Sequence, residues 1–234
     1  MMSFWNALPP LSFWNGAKRS DRISNSKVAI ESQRRIMIKT FNNGLLDSNT
    51  YVYSTNGGHA MIIDFGVPLD SVKEYVDENK ITVDYLVSTH GHYDHINYIG
   101  DYKKAFADAT LICHENELDL IRDPEGNLSL YFGLYNSYDV GFVGVKDGDE
   151  ISLKNGDECT IFKIIHAPGH TSGCMCLYNE KEKIMFTGDV LFANGYGRVD
   201  LKYASPSDMI KSLNKLYTYK GVRIYAGHGD SGII

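Results

Sequence analysis

The chain has 234 residues, 43% of them hydrophobic and 22% charged, with a formal net charge of −6. That balance is ordinary for a soluble globular domain and leaves enough apolar side chains for a sizeable core. No apolar run approaches the ~20 residues that span a bilayer, and the acidic excess argues against nucleic acid as a partner.

The charge is unevenly spread. Residues 1–36 carry six basic side chains (Lys18, Arg19, Arg22, Lys27, Arg34, Arg35) against two acidic ones (Asp21, Glu31), so the other 198 residues carry −10. Ser-Phe-Trp-Asn occurs at 3–6 and again at 12–15, and both tryptophans, Trp5 and Trp14, lie there. No basic region precedes the apolar part and Pro9-Pro10 interrupts it, which speaks against a secretory signal. Residues 1–35 thus read as an N-terminal extension of partly disordered character. Its aromatics are a candidate contact for a homo-oligomer.

Residues 36–234 read as one catalytic domain. "RIMIKTF", "NTYVYST" and "HAMIIDFG" are short runs of period-2 character. Asn42-Asn43-Gly44 and Asn56-Gly57-Gly58 punctuate them with turn chemistry, so an antiparallel meander is expected. "LDSVKEYVDENK" places Val72, Tyr75 and Val76 on one face of a helix. The strand "ITVDYLVST" follows, then the strand "ATLICH" and a helix-like "ENELDLIRD". The second half brings the strands "DEISL", "ECTIFKIIHA", "GCMCLYN" and "KIMFTGD". "SPSDMIKSLNKLY" is a helix capped by Ser205 or Ser207, with Met209, Leu213 and Leu216 on one face. "VRIYAGHG" is the last expected strand. Strand runs followed by helices, twice over, predict an α/β protein with two packed sheets and helices on the outer faces.

The four cysteines (Cys113, Cys159, Cys174, Cys176) all sit in apolar strand-like runs. Buried reduced thiols and a cytoplasmic setting are expected, rather than a disulfide framework.

"STHGHYDHI" packs three histidines and an aspartate into residues 90–95. His90 and His92 are two apart in extended chain and so can face one cation. Asp94 and His95 face a slightly different point, and Gly91 relieves crowding between the ligands. Three more candidates stand at strand ends beside glycines: His170 in "HAPGHTSG", Asp189 in "MFTGDV" and His228 in "YAGHGDSG". Ligands spread over several strand-end loops of a rigid scaffold suit a catalytic centre.

In their order and spacing, "THGHYDH", "APGHTSG", "TGD" and "GHG" resemble the ligand motifs of the metallo-β-lactamase fold hydrolases, most of all the glyoxalase II-like branch. "IIDFG", "DPEGNLSL" and "GRVDL" are similar to further segments of that branch, and Met37 falls where such proteins commonly start. The resemblance implies an αββα sandwich. It assigns His90, His92 and His170 to a first metal, Asp94, His95 and His228 to a second, and Asp189 to a bridge between them. His59 and His114 fall outside this scheme as structural residues, and His166 is at most a group that orients a ligand.

Two divalent cations ~3.5–4 Å apart lower the pKa of a shared water toward ~7 and so supply hydroxide at neutral pH. Asp94 would orient that nucleophile. The ligand set suits zinc and is compatible with iron or manganese. The resemblance implies a dinuclear hydrolase acting on a small-molecule thioester or related ester, as hydroxyacylglutathione hydrolases do. Its competitors are a persulfide dioxygenase-like enzyme with one iron, a lactone or phosphodiester hydrolase of the same fold, and a metal-stabilised binding module. True lactamases of the fold often carry cysteine where Asp189 stands, which demotes that activity. The glutathione-specific branch normally adds a C-terminal helical domain, whereas this chain stops six residues after His228, which puts glutathione thioesters in doubt. Residues 128–144, rich in tyrosine and phenylalanine, are the expected substrate-facing segment or a lid. Tyr131, Phe132 and Tyr135 are its candidate contacts. Arg198 is expected to pair with a carboxylate beside the ligands or with a substrate anion.

Overall fold

The structure is a computed structural model that describes residues 37–234. The extension with Trp5 and Trp14 lies outside the described residues. The described residues form one compact unit.

The meander forms as expected. β1 (Met37–Phe41), β2 (Thr50–Ser54) and β3 (His59–Ile63) pair antiparallel in sequence order. Asn42-Asn43-Gly44 does not close a tight hairpin, however. It opens a longer connection with a 3-10 turn at Leu45–Asp47, and that connection reaches the site described below. Three parallel strands extend this first sheet: β4 (Thr82–Val87), β5 (Thr110–His114) and β6 (Val143–Val145). The second sheet runs β12-β11-β10-β9-β8-β7. Its strands are β7 (Glu150–Asn155), β8 (Glu158–His166), β9 (Met175–Asn179), β10 (Ile184–Gly188), β11 (Arg223–Ala226) and β12 (Gly232–Ile233). Both sheets are mixed, since β10 and β11 pair parallel among antiparallel neighbours.

Alternation along the strands builds the layers. Tyr51, Tyr53, Met61 and Ile63 from the first sheet meet Leu153, Phe162, Ile164 and Phe186 from the second in a central core. Their neighbours Val52, Ala60 and Ile62 point the other way. There they pack on α1 (Leu69–Glu78) through Val72 and Val76, and on α2 (Tyr93–Ile96) and α3 (Ile99–Ala105) through Ile96, Ile99 and Tyr102. On the far side, Cys174, Cys176, Met185 and Ile224 pack against Met209 and Leu216 of α5 (Pro206–Leu216). Ser205 caps α5, its hydroxyl accepting from the Asp208 N–H. Each fully buried large side chain here contributes about 1.5–3 kcal/mol by transfer from water. The result is the expected αββα sandwich.

Two expectations need correction. The aromatic stretch, residues 128–144, does not end as rim or lid: Val143 and Gly144 belong to edge strand β6, paired parallel to Ile112 and Cys113 of β5. Cys159 is exposed. Strand β8 alternates, with Thr160 and Phe162 inward, so Cys159, Ile161 and Lys163 face out.

The topology gathers strand ends. β3, β4 and β5 run in the same direction and all finish at one edge of the first sheet. β8, β10 and β11 likewise share a direction and finish together in the second. The two edges meet where Asn49 N–H donates to the Gly227 carbonyl at 2.7 Å and Met175 N–H to the Thr89 carbonyl at 3.0 Å.

Candidate metal centre

Four strands of that double edge deliver the candidate ligands. β4 leads into His90 and His92, and the one-turn helix α2 carries Asp94 and His95. β8 leads to His170, β10 to Asp189 and β11 to His228. All seven converge. His90, His92 and His170 bring their ligand atoms within 4.8 Å of one another, as do Asp94, His95 and His228, and as do His90, His95 and Asp189. Asp189 stands between the two halves. Its Oδ1 lies 3.5 Å from His95 Nε2, and its Oδ2 lies 3.4 Å from His228 Nε2 and 3.6 Å from His170 Nε2.

Tautomers explain what the convergence requires. His170 Nδ1 donates to the Arg198 carbonyl at 2.7 Å and His228 Nδ1 to the Leu46 carbonyl at 3.1 Å. A carbonyl oxygen has no proton to give, so each neutral ring carries its proton there and presents a lone pair at Nε2. His95 Nδ1 is fixed the same way by the Asp64 carboxylate at 3.0 Å. His95 Nε2 and His228 Nε2 therefore both point into the centre, 3.2 Å apart, beside the Asp94 and Asp189 carboxylates. His92 Nδ1 faces His170 Nε2 at 2.8 Å. His90 Nε2 and Asp189 Oδ1 are buried with no hydrogen-bond partner. Converging ring nitrogens and orphaned buried polar atoms fit cations.

The electrostatics agree. Burial, then the neighbouring imidazoles, hold His90 and His92 well below the ordinary histidine value, so both are neutral and ready to ligate. Burial pulls His95 down too, but the carboxylates of Asp94, Asp189 and Asp64 outweigh it and raise it to about 9. His228 rises to about 10, burial again being outweighed by Asp189 and Asp94. Burial pushes the Asp189 and Asp94 carboxyls up, yet the imidazoles win and both lie below the ordinary carboxylate value. The cluster attracts positive charge, whether protons or metal.

Glycines make room for it. A Cβ at Gly227 would run into Asp189 Oδ1 and lie 2.8 Å from His95 Cε1, and one at Gly197 would lie 2.8 Å from His170 Nδ1. Gly91 plays a different part from the one expected. A Cβ there would strike not the ligands but the side chains of Leu120 and, at 2.5 Å, Ile121.

Over residues 43–228 the chain matches the Metallo-beta-lactamase superfamily. The chain belongs to that superfamily. An uncharacterized protein of Aquifex aeolicus is 32% identical over 189 residues, covering 78% of this chain and 84% of that one. The hydroxyacylglutathione hydrolase GloC of Haemophilus influenzae is 30% identical, with 74% of this chain and 81% of that enzyme covered. Hydroxyacylglutathione hydrolase 1 of Vibrio vulnificus is also 30% identical over 72% of this chain, but the match spans only 57% of its length. Among solved structures, the BLEG-1 B3 metallo-beta-lactamase superposes with a TM-score of 0.73 at 26% identity, covering 84% of this chain and 94% of that one. TTHA1623, solved in a di-iron-bound form, gives 0.71 at 25% identity, with 85% and 94% covered.

Within this superfamily scaffold, two buried carboxylates outside the ligand motifs hold the centre. Asp64, which follows β3, accepts from Thr89 N–H at 2.7 Å, Thr89 Oγ1 at 2.8 Å and His95 Nδ1 at 3.0 Å. Its φ of +60° is a left-handed conformation unusual for a non-glycine residue and is held by those bonds. A strand-end aspartate in "IIDFG" was a readable signal for it, since Asp189 has the same setting. Glu117 bonds both ligand loops and carried no signal, because in "ENELDLIRD" it reads as a solvated helix position.

The remaining candidates divide. Phe132 packs on Tyr93, ring centroids 5.4 Å apart, between His92 and Asp94 in sequence. Tyr131 and Tyr135 stand 74% and 80% exposed on the same loop, so this segment is a rim beside the centre and not a closed lid. Further along, Tyr138, Val140 and Phe142 pack on the core. The Arg198 side chain does not reach a carboxylate of the centre. It pairs with Asp200 at 3.0 Å, while its backbone carbonyl serves His170. His166 touches none of the seven, and instead stacks on His114 at 3.9 Å and bonds the Ser172 carbonyl at 3.0 Å. His59 pairs with Asp84 at 2.8 Å, in the structural role expected of it. Among the described residues, no helix is long and apolar enough to cross a membrane.

Proposed function

We propose that this chain is a metal-dependent hydrolase of small-molecule thioesters or related esters, using two divalent cations, zinc above all. His90, His92 and His170 would hold one cation, Asp94, His95 and His228 the other, and Asp189 both. Bound there, such cations supply Lewis-acid polarisation of a carbonyl and activation of water at neutral pH.

The chain's own residues do the rest. Asp94 Oδ2, 3.2 Å from His228 Nε2 and 3.5 Å from His95 Nε2, faces the centre and would accept a hydrogen bond from the attacking water, aiming its lone pair. Asp64 and the carbonyls of Arg198 and Leu46 keep His95, His170 and His228 in the tautomers that present Nε2 inward. Tyr131, Phe132 and Tyr135 form an apolar rim suited to the body of an acyl or thiol group. Arg198 and Lys202 already pair with Asp200 and with Asp123 and Glu125, so the rim favours no strongly anionic ligand.

The observation that carries this reading is Asp189, placed between the two halves with its Oδ1 orphaned. The hydroxyacylglutathione hydrolases among the relatives support the choice of thioesters. A panel of thioesters, lactones and phosphodiesters, run on protein of known metal content, tests it. Thioester cleavage dominating the panel is the expected result. One iron per chain with oxygen consumption on a persulfide would replace the reading by a dioxygenase.

A further inference from the structure

Glu117 lies between β5 and α4 (Leu118–Arg122) and is completely buried. A carboxylate removed from water is costly unless its oxygens are hydrogen-bonded. Both oxygens of Glu117 are. Oε1 accepts from the Gly91 N–H at 3.2 Å and from the Thr171 hydroxyl, and Oε2 accepts from the Gly173 N–H at 3.0 Å. Thr171 Oγ1 in turn lies 3.0 Å from Cys174 Sγ, whose thiol can donate to it. Every neighbour of the carboxyl is thus a donor, and the ionised form satisfies all three. Burial pushes the group up to about 7 against the pull of those donors.

The donors come from two separate loops. Gly91 sits between His90 and His92, while Thr171 and Gly173 follow His170. The seat is built closely, since a Cβ at Gly173 would lie 2.6 Å from Glu117 N and 2.7 Å from its Oε2. No donor to Glu117 comes from Asp94, His95 or His228. Those belong to the half that Asp64 braces through His95.

We propose that Glu117 is the positioning residue of the three-histidine half, tying the His90–His92 loop to the His170 loop and so setting how tightly that half holds a cation. The inference rests on the metal reading above. Asp64 braces the other half through His95 and also reaches the three-histidine half through Thr89, whose Oγ1 lies 3.2 Å from His90 Nδ1.

Glu117→Gln keeps size and shape but replaces one acceptor with an NH2 donor. Whichever way the amide turns, it meets a donor of Gly91 or Gly173. The test is titration of metal-free protein with Zn2+ by calorimetry and with Co2+ by its visible absorption, alongside thermal unfolding of the metal-free forms. In Glu117→Gln one class of site is expected to weaken by about tenfold to a hundredfold while the other keeps its affinity and spectrum. Asp64→Asn should weaken the opposite class more than this one. Glu117→Gln binding both cations as the wild type does, with only its unfolding temperature lowered, assigns Glu117 a structural role and overturns the proposal. Should that variant not fold, Thr171→Ala removes one tie and is expected to weaken the same class several-fold. Wild-type affinity at both sites in Thr171→Ala overturns the proposal equally. A wild type that takes up no cation sinks both this inference and the metal reading. One that binds two cations but cleaves no thioester sinks only the choice of substrate.

Discussion

His92 Nδ1 stands 2.8 Å from His170 Nε2, although 78 residues separate them in sequence. One ring comes from the end of the first sheet and the other from the end of the second. Because His170 spends its Nδ1 proton on the Arg198 carbonyl, its Nε2 is an acceptor, and a proton on His92 Nδ1 can bridge the two rings. A bound cation would take the place of that proton between the two rings.

The same logic gives a pH dependence to the metal-free protein. His95 is raised above its ordinary value of ~6.5, to about 9. Its contribution to stability is therefore full below ~6.5 and is lost as pH rises through about 9. Asp94 and Asp189 are depressed, so theirs is present above ~3.9 and is lost as pH falls through their lower folded values. Because burial keeps His90 and His92 neutral, stability also falls as pH drops below ~6.5. Metal-free protein should therefore be most stable at about pH 6.5 and lose unfolding temperature from there to about pH 9. The cation-loaded protein should vary less, because metal replaces the protons on His95 and His228. A metal-free unfolding temperature that is flat or rising across that range contradicts the assignment.

Gly227→Ala tests the crowding around Asp189. The added methyl collides with Asp189 Oδ1 and presses on His95. A displacement of the order of 1 Å can cost about a hundredfold in rate, so kcat should fall by about that factor in a protein that still folds. Near-normal turnover would mean that Asp189 is free to move without consequence.

Asp64→Asn with its oxygen at the Oδ1 position keeps the bond from Thr89 N–H, but its NH2 then faces Thr89 Oγ1 and His95 Nδ1 and no longer fixes the proton on that ring. Loss of such an orienting partner costs about tenfold to a hundredfold in metal affinity or activity. Competition with a chelator measures it. Unchanged metal affinity would remove Asp64 from the account.

The aromatic rim should act on binding more than on chemistry. Replacing Tyr131 and Tyr135 together with alanine is expected to raise KM about tenfold or more with kcat nearly intact, the signature of uniform binding. A fall in kcat at constant KM would place those rings nearer the reacting bond than the rim geometry suggests. Both side chains are largely exposed, so stability should change by no more than about 0.5 kcal/mol.

Much of this was legible in the residues because the signals are local. His90, His92, Asp94 and His95 are contiguous, and His170, Asp189 and His228 each follow a strand whose period-2 pattern is plain. The layers follow from the same alternation, as Tyr51 and Val52 show by pointing to opposite cores. What escaped was set by tertiary context. Glu117 is an acid among acids in sequence, and only the approach of two distant loops buries it. Cys159 lies in an apolar run, but the outward register of β8 exposes it. Val143–Val145 is too short to announce itself as a strand and pairs only because β5 offers a parallel edge. Arg198 reads as a charge, yet its contribution to the centre is its carbonyl.

The central claim is that two cations share Asp189, and metal content measured beside hydrolysis tests it most directly. Wild-type protein purified without added metal should carry two zinc per chain and cleave thioesters. Asp189→Ala should lose at least one zinc, with kcat falling about a hundredfold or more. Full hydrolysis and unchanged metal content in Asp189→Ala would contradict the shared-ligand centre outright.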